Sequence, residues 1–476
     1  MPRTTPASST NLGIRLESIQ YAPGDTIIGC VYRKGHIVSP KASVTISLHG
    51  RTKSKMVVSR GGNSSSTYRG RFNVLGGPDG TQKVFDGPLH IPAGGEEQVW
   101  PFALALPTHV ENIGLGVHVP KDHSYLPLDP EVVATHELPE TFAIHHHGFS
   151  TNMEGFVEYF LRAEMRAMGH SSTGGMHEAT LPFTLRALSS EPPIVDSRLR
   201  KIKTSYSITS YRLVPGMEEA ELSLSQKTRQ FFSSSKVPTL YFNYQIDTPT
   251  VIQLENPNAV PFIIRCSPDW GRTSEIINGL EQQARLKSLS LRIASATVVR
   301  CEGSFSPHDA DTDDKLDLYI DHAIHALGEP IYIPITDDMP PVDIGELINL
   351  RIGYQGRVGP KFRQGTLHPS FTTYNIRHMH QLKWAICAEI AGEDFKASGS
   401  HPLTLLKPSD DSVPRKTTLI DGPSQVPVSL GEVSSEPWMR PPEDDPAPPS
   451  FTQVQKEDAM QAVAEVGDMK KAPQFP

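Results

Sequence analysis

The segment Ala42–Leu48, with the sequence ASVTISL, carries an apolar residue at every second position. Side chains of a β-strand point alternately to the two faces of a sheet, so this period of two predicts a strand with one buried face. The same alternation precedes it in Leu12–Leu16 and returns in Leu286–Arg300. Short alternating segments separated by turns therefore predict an all-β chain made of antiparallel β-sandwiches.

The predicted strands extend from Leu12 to residue 407, which is too long for a single sandwich. We predict two tandem sandwiches, an N-terminal one over residues 12–190 and a C-terminal one over residues 191–407. Residues 1–11 are rich in Ser, Thr and Pro and are predicted to be a flexible N-terminus. Residues 408–476 hold twelve Asp and Glu against six Lys and Arg, which predicts a disordered, acidic, proline-rich tail.

The charge and cysteine content exclude two classes of protein. The 476 residues include 45 Lys and Arg against 53 Asp and Glu, a net charge of −8. This excludes a broadly basic nucleic-acid-binding protein, which needs clustered positive charge. The four cysteines lie far apart without a CxxC pair, which excludes a zinc ribbon and is typical of the reducing cytosol. The sequence also shows no secretory signal and no apolar run of about 18 residues, so we expect a cytoplasmic protein.

No sequence pattern points to catalysis, to a cofactor or to a bound metal. The GxSxG and HExxH motifs are absent. His145-His146-His147 is predicted to be a surface segment, because adjacent side chains on a strand point to opposite faces. Asp309–Asp314 lacks the Gly at position six of an EF-hand loop, and Ile320 stands where its Glu is needed. We therefore predict a solvated acidic loop there, and we do not expect an enzyme.

Five segments of the first half resemble, in their order, the N-terminal domain of arrestin-like proteins. They are Tyr21–Gly29 with its Pro-Gly-Asp turn, Ala42–Arg51, Phe85–Pro107 with its Trp-Pro-Phe, Leu138–Phe142 and Gly155–Met165. The resemblance is closest to α-arrestin-type proteins of filamentous fungi. Tyr374–Trp384 and Glu389–Phe395 look like the last strands of the C-terminal domain of that family. The resemblance implies two tandem β-sandwiches and no catalytic site.

The resemblance also implies an adaptor function in membrane-protein trafficking and endocytosis. Members of this type bind a membrane transporter or receptor as cargo and recruit a WW-domain ubiquitin ligase through a Pro-Pro-x-Tyr motif, which implies recruitment to the plasma membrane or endosomes. This chain has no Pro-Pro-x-Tyr, and its nearest segment contains Pro448, Pro449 and Phe451. WW grooves accept prolines in the polyproline II conformation, so this segment is the candidate ligase contact. The alternative is a proline-rich spacer.

Basic residues mark a second candidate for partner binding at the predicted domain junction. Arg198, Arg200, Lys201 and Lys203 could contact an acidic lipid surface or a phosphorylated cargo tail through charge-assisted hydrogen bonds. A second basic group consists of Arg51, Lys53 and Lys55, which we expect to point the same way, and Arg69 and Arg71 extend it. The alternative for both groups is an ordinary charged surface.

Two other functions are compatible with the predicted fold, because a fold does not determine a function. The first is a signalling or sorting scaffold that acts without a ubiquitin ligase. The second is a β protein that binds a ligand or a carbohydrate.

Overall fold

The computed structural model describes residues 4–8, 12–61, 64–111, 121–168, 175–218, 220–231, 236–303, 306–358 and 366–412. This part of the chain is mostly β-structure arranged as sandwiches, as the sequence predicts. Two separate hydrophobic cores organise it, one largely from the first half and one entirely from the second. No helix in these ranges is long and apolar enough to cross a bilayer.

Within these ranges, the first half contains eleven strands and one short α-helix, α1 (Pro130–Val133). The strands are β1 (Ala7–Ser8), β2 (Leu12–Leu16), β3 (Gln20–Tyr21), β4 (Thr26–Arg33), β5 (Ile37–Gly61), β6 (Ser64–Leu75), β7 (Thr81–Ile91), β8 (Gln98–Ala105), β9 (Phe142–His147), β10 (Thr151–Met168) and β11 (Gly175–Leu185).

The described residues of the second half form thirteen strands and three α-helices, α2 (Leu224–Phe231), α3 (Ile320–His325) and α4 (Ile344–Leu347). The strands are β12 (Leu199–Thr209), β13 (Thr239–Pro249), β14 (Val251–Gln253), β15 (Ile263–Pro268), β16 (Gln282–Cys301), β17 (His308–Asp317), β18 (Tyr332–Ile335), β19 (Val342–Asp343), β20 (Ile352–Gly353), β21 (Gly356–Arg357), β22 (Phe371–Thr372), β23 (Ile376–Ile390) and β24 (Glu393–Leu406).

The first sandwich packs an eight-stranded sheet against the three-stranded sheet β2-β4-β8. In the larger sheet β10 pairs antiparallel with β5 along its whole length, from Thr151 opposite Val58 to Met168 opposite Lys41. Alternate residues of both strands enter the core, as the period of two requires. Pro101 lies on β8, an edge strand of the smaller sheet. A proline is tolerated there because the N–H group that it lacks is not needed for a hydrogen bond to a neighbouring strand.

The second sandwich is built from one eleven-stranded sheet that curls over its own core. Its longest path runs β12-β13-β15-β18-β16-β23-β24-β14, with β17 beside β16. β16 pairs with β18 through its first residues and with β17 through its last. It therefore connects the two layers that the curled sheet forms around the core. Phe242, Phe262, Trp384 and Phe395 fill the space between them.

The junction between the halves is a buried interface in which the second half completes the first core. Tyr374 and Ile376 belong to that core, and the Tyr374 ring stacks on Phe72 with the centroids 5.2 Å apart. The Tyr374 hydroxyl lies 3.0 Å from His136 Nδ1. Asn375 is fully buried and donates from Nδ2 to the Ser54 hydroxyl over 3.1 Å.

Three segments differ from their predicted structure because they pair with distant parts of the chain. Ala7–Ser8, expected in a flexible N-terminus, forms β1 and pairs with β11. Asp309–Asp314, expected in a loop, lies within β17 and pairs with β16. The Ser409 hydroxyl, expected in the disordered tail, donates to the Glu191 carbonyl over 2.7 Å. The remainder of the predicted tail, from residue 413, lies outside the described residues.

Candidate partner-binding surfaces

One end of the outer face of the eight-stranded sheet carries a group of five basic residues, which we call the outer basic face. Because Thr52, Ser54 and Met56 face the core, the alternate residues of β5 point away from it. The neighbouring strand β6 adds further basic side chains in register with them. The five are Arg51, Lys53, Lys55, Arg69 and Arg71.

Two carboxylates on β10 hold part of this face in place. Arg51 forms a short hydrogen-bonded ion pair with Glu158, whose side chain is 8% exposed. Lys53 Nζ lies 3.6 Å from the same carboxylate, and Lys55 Nζ lies 3.4 Å from Glu154 Oε1. Glu158 stands opposite Arg51 in the antiparallel register, so the sheet pairing itself brings these charges together.

Lys53 is the buried member of the outer basic face. Its side chain is 6% exposed, and its Nζ lies 5.5 Å from the centre of the Phe156 ring. Burial lowers the pKa of Lys53, the adjacent Arg51 lowers it further, and Glu158 acts in the opposite direction. The ring face and the carboxylate together compensate for part of the lost hydration.

The N-terminal segment lies over the Arg51–Glu158 pair. The Thr4 N–H donates to Glu158 Oε2 over 2.7 Å, and Arg51 Nη2 donates to the Thr4 hydroxyl over 2.7 Å. Arg69 and Arg71, on the neighbouring strand, are exposed. This face therefore has a part that is already occupied by the chain itself and a part that is open to a partner.

The predicted basic group at the domain junction lies on another sheet, along β12. Arg198 precedes this strand with φ at 50°, and its carbonyl accepts a hydrogen bond from the Thr250 N–H. Lys201 and Lys203 are exposed on the outer face of the strand, whereas Arg200 lies on the same face as the partly buried Ile202. Three of the four residues lie on β12 and Arg198 immediately precedes it, but the side chains do not all lie on one face of the sheet. They also do not join the outer basic face, which belongs to a different sheet.

The candidate ligase contacts Pro448, Pro449 and Phe451 lie outside the described residues, so their role stays a prediction from the sequence. Among the described residues, no group of three or more His, Cys, Asp or Glu side chains is placed to hold a metal ion.

A buried histidine cluster at the junction of the halves is a feature that the sequence analysis missed. His378 and His380 are 6% and 3% exposed and lie with their rings 4.6 Å apart. Nearby His368 Nδ1 contacts Glu140 Oε1 of the first half at 2.6 Å. The spacing of two between His378 and His380 was visible in the sequence, but the contact of the neighbouring His368 with a glutamate more than 200 residues away depends on the tertiary structure.

One ring nitrogen of each of the two buried histidines has a hydroxyl partner. His378 Nδ1 lies 2.8 Å from the Thr297 hydroxyl, and His380 Nδ1 lies 2.9 Å from the Ser370 hydroxyl. Burial lowers the pKa of His378 to about 3, with His380 and His368 adding to the effect. Burial and His368 lower the pKa of His380 to about 4. Both rings are therefore neutral at physiological pH.

A cleft of about 520 Å³ opens on the same side of the junction as the start of the tail. Ser189, Ser190 and Lys407 are among its lining residues. Lys407 Nζ contacts Glu137 Oε2 at 2.7 Å and so links the second half to the first. The two serine hydroxyls make no hydrogen bond with a histidine of the described chain, so they do not form the pair that a nucleophilic catalytic site needs.

Comparison with known proteins adds no functional assignment. No protein-family model matches this sequence, and no curated protein matches it. The functional argument therefore depends on the fold and on the charged surfaces that it presents.

Proposed function

We propose that this protein is a non-catalytic, arrestin-like adaptor in membrane-protein trafficking. In this proposal it binds an acidic cytosolic segment of a membrane transporter or receptor and links that cargo to a ubiquitin ligase or to the endocytic machinery. The outer basic face carries the proposal, because it groups five basic side chains of β5 and β6 with two carboxylates, Glu154 and Glu158, on the facing part of β10.

The charge balance of this face favours an anionic partner. Glu158 and Glu154 are already engaged by the three basic residues of β5, and within the described chain Arg69 and Arg71 form no ion pair with either of them. Guanidinium groups bind carboxylates and phosphates through two parallel hydrogen bonds, which makes exposed arginines suitable for an acidic or phosphorylated peptide. The sequence resemblance to arrestin-like proteins supports the same class of cargo.

The two-sandwich architecture supports an adaptor because it can present separate surfaces to separate partners. The buried junction around Tyr374 and Asn375 ties the halves together through one core and a hydrogen-bond network. A partner on the outer basic face would leave the second sandwich free for another. Simultaneous binding of two partners is what an adaptor requires.

Proximity labelling in cells with the full-length protein tests cargo binding. We expect the unaltered protein to label integral membrane proteins and Arg69→Glu/Arg71→Glu to lose that labelling. The control Lys41→Glu/Lys396→Glu makes the same change of charge at exposed lysines outside this face and should retain it. Equal labelling by all three proteins would contradict the assignment of cargo to the outer basic face.

Direct ligase recruitment is tested separately with a peptide spanning residues 446–454 and a panel of WW domains. The polyproline segment loses little entropy on docking, while Phe451 lacks the hydroxyl of the usual tyrosine, worth about 0.5–1.5 kcal/mol. Phe451→Tyr should therefore tighten binding by roughly two- to tenfold, and Pro449→Ala should abolish it.

The result also separates the proposed function from its nearest alternative. Absence of binding by both the native peptide and the Phe451→Tyr peptide would make the segment a spacer. The protein would then be a sorting or signalling scaffold that reaches no ligase through this segment.

A further inference from the structure

We infer that the second sandwich self-associates head to tail, with β12 of one copy pairing antiparallel with β17 of the next copy. The inference depends on two sheet edges that have opposite charge and matching geometry. It does not involve the outer basic face, so it is independent of the proposed cargo binding.

The first edge is β12, which hydrogen-bonds to β13 on one side only within the described part of the chain. Seven of its eleven residues are exposed. Lys201 and Lys203 make no ion pair with any described residue, and neither does Arg200. An edge strand of this kind presents a row of unpaired N–H and C=O groups to a second chain.

The second edge is β17, which pairs with β16 and with no other strand among the described residues. Its terminal acids already have partners: Asp309 pairs with Arg300 and Asp317 pairs with Arg292. The three acids between them, Asp311, Asp313 and Asp314, are exposed and have no ion pair with any residue that the structure describes. This edge therefore carries unbalanced negative charge.

The backbone hydrogen bonds show which residues of each strand point toward the free edge. The Ser210 N–H donates to the Pro238 carbonyl, in continuation of the β12–β13 register, so even-numbered residues of β12 bond to their own sheet. The Leu318 N–H donates to the Leu291 carbonyl in the same way for β17 and β16. In both strands the odd-numbered residues therefore direct their N–H and C=O groups outward.

In both strands the even-numbered side chains point to the core side of the sheet and the odd-numbered side chains point to its outer face. On β12 the even-numbered Ile202 and Ile208 face the core side, and on β17 the even-numbered Ala310 and Leu316 do so. Lys201 and Lys203 lie on the outer face of their sheet, and so do Asp311 and Asp313. Residues directly opposite each other in an antiparallel pair have their side chains on the same face.

One register between β12 and β17 agrees with the direction of the backbone hydrogen bonds, with the sheet face of each side chain and with the charges. Placing Lys201 opposite Asp313 also places Lys203 opposite Asp311 and Arg200 opposite Asp314. The two lysine–aspartate pairs fall at outward-pointing, hydrogen-bonded positions on the outer face, and the arginine–aspartate pair falls on the other face. Asp314 accepts from the Lys315 N–H through one oxygen, which leaves its second oxygen for Arg200.

The signs of the charges also decide which pairings are disfavoured. Two copies of β12 would bring lysines together, and two copies of β17 would bring aspartates together, so like charges oppose both symmetric dimers. Only the mixed pairing brings opposite charges together. A contact between two different edges is heterologous, so it extends into a ring or an open chain and not into a closed two-fold dimer.

Sedimentation velocity of the full-length protein over a range of concentrations tests the inference. We expect self-association that weakens at high salt, because the ion pairs are exposed. Lys201→Glu/Lys203→Glu and Asp311→Lys/Asp313→Lys should each sediment as monomers, since their two edges carry the same sign. Mixing these two variants should restore association, because each acidic edge then meets a basic one.

The control Lys41→Glu/Lys396→Glu changes the net charge by as much as the β12 variant and should associate like the unaltered protein. A protein that stays monomeric at every concentration and salt would overturn the inference. So would a mixture of the two charge variants that remains monomeric although each variant melts like the unaltered protein.

Cysteine cross-linking tests the register itself and does not depend on the charge variants. Lys203→Cys mixed with Asp311→Cys should form a disulfide between copies, because these positions are directly opposite in the inferred pairing. Lys203→Cys mixed with Lys315→Cys should not, since those positions are four residues out of register. Cross-linking of the second mixture to the same extent as the first would contradict the pairing.

Discussion

At the scale of single residues, Trp100 shows how strongly one side chain can support the first core. It lies on β8, is 5% exposed, and has its ring centre 5.8 Å from that of Phe85. We expect Trp100→Ala to lower the free energy of unfolding by about 3–5 kcal/mol, since it removes a large buried ring and leaves a cavity.

Chemical denaturation measures this effect, with Val99→Ala as the control. Val99 is the preceding residue and is 41% exposed, so its truncation should change the stability by no more than about 0.5 kcal/mol. A Trp100→Ala protein of normal stability that had lost partner binding would instead place Trp100 in a binding surface.

The buried histidines make stability depend on pH in a defined direction. In the folded protein the pKa values of His378 and His380 are about 3 and about 4, below the ordinary value of 6.5. The unfolded chain therefore takes up protons before the folded protein does. The stabilisation is complete above pH 6.5 and is lost as the pH falls toward the two folded-state values.

We expect the free energy of unfolding to fall between pH 7 and pH 4 by roughly 3 kcal/mol per histidine, since one pKa unit corresponds to about 1.4 kcal/mol. Denaturant titrations at a series of pH values measure this fall. His378→Asn/His380→Asn should make it shallower, whereas His146→Asn, an exposed position, should leave it unchanged. An equally steep fall in the double variant would assign the pH dependence to other groups.

At the scale of elements, the first residues after β24 are part of the folded body. The Ser189 N–H donates to the Pro408 carbonyl and the Asp410 N–H donates to the Ser189 carbonyl, both over 2.8 Å. Ser409 is 1% exposed. These bonds attach the start of the predicted tail to the segment that links the two halves.

Truncations on either side of this attachment should therefore differ. Truncation after Ser412 removes polar, acidic sequence and should leave the melting temperature nearly unchanged. Truncation after Leu406 removes the Lys407–Glu137 ion pair and the bonds to the linker, and should lower the free energy of unfolding by about 1–3 kcal/mol. Equal stability of the two truncated proteins would show that the attachment contributes nothing measurable.

At the scale of the whole molecule, the two hydrophobic cores differ in which half of the chain supplies their residues. The second core consists entirely of residues from Ile208 to Leu405. The first core includes buried residues from the second half, among them Val299, Cys301, Tyr374 and Ile376. The first sandwich therefore depends on the second, whereas the second does not draw on the first for its core.

This asymmetry predicts different behaviour of the isolated halves. Residues 191–412 should fold alone and unfold cooperatively in denaturant, because their core is retained. Residues 1–190 should fail to fold stably, because they lose the apolar side chains that complete their core. Circular dichroism and denaturation of both fragments, compared with residues 1–412, measure this. A stable, cooperatively unfolding first half would contradict it.

The sequence by itself determined the fold class and most of the strands, because the two-residue period of a half-buried strand is a local property that Ala42–Leu48 displays directly. It also grouped Lys201 and Lys203 in one basic cluster, although the strand that carries them, β12, came only from the structure. It did not reveal that Glu158 holds Arg51, or that Glu140 meets His368, because these contacts join residues more than 100 positions apart.

Only the tertiary structure decided the pairing of the strands, and with it the distribution of charge. Asp309–Asp314 looked like a loop, since its acidic composition is unfavourable for a strand, yet β16 supplies the hydrogen-bond partners that make it one. The sequence predicted a flexible segment at residues 4–8, but Ala7–Ser8 pairs with β11 in the folded chain. The physical reason is the same throughout: which face a side chain takes is determined by its neighbours in the chain, but what it meets there depends on the register between distant strands.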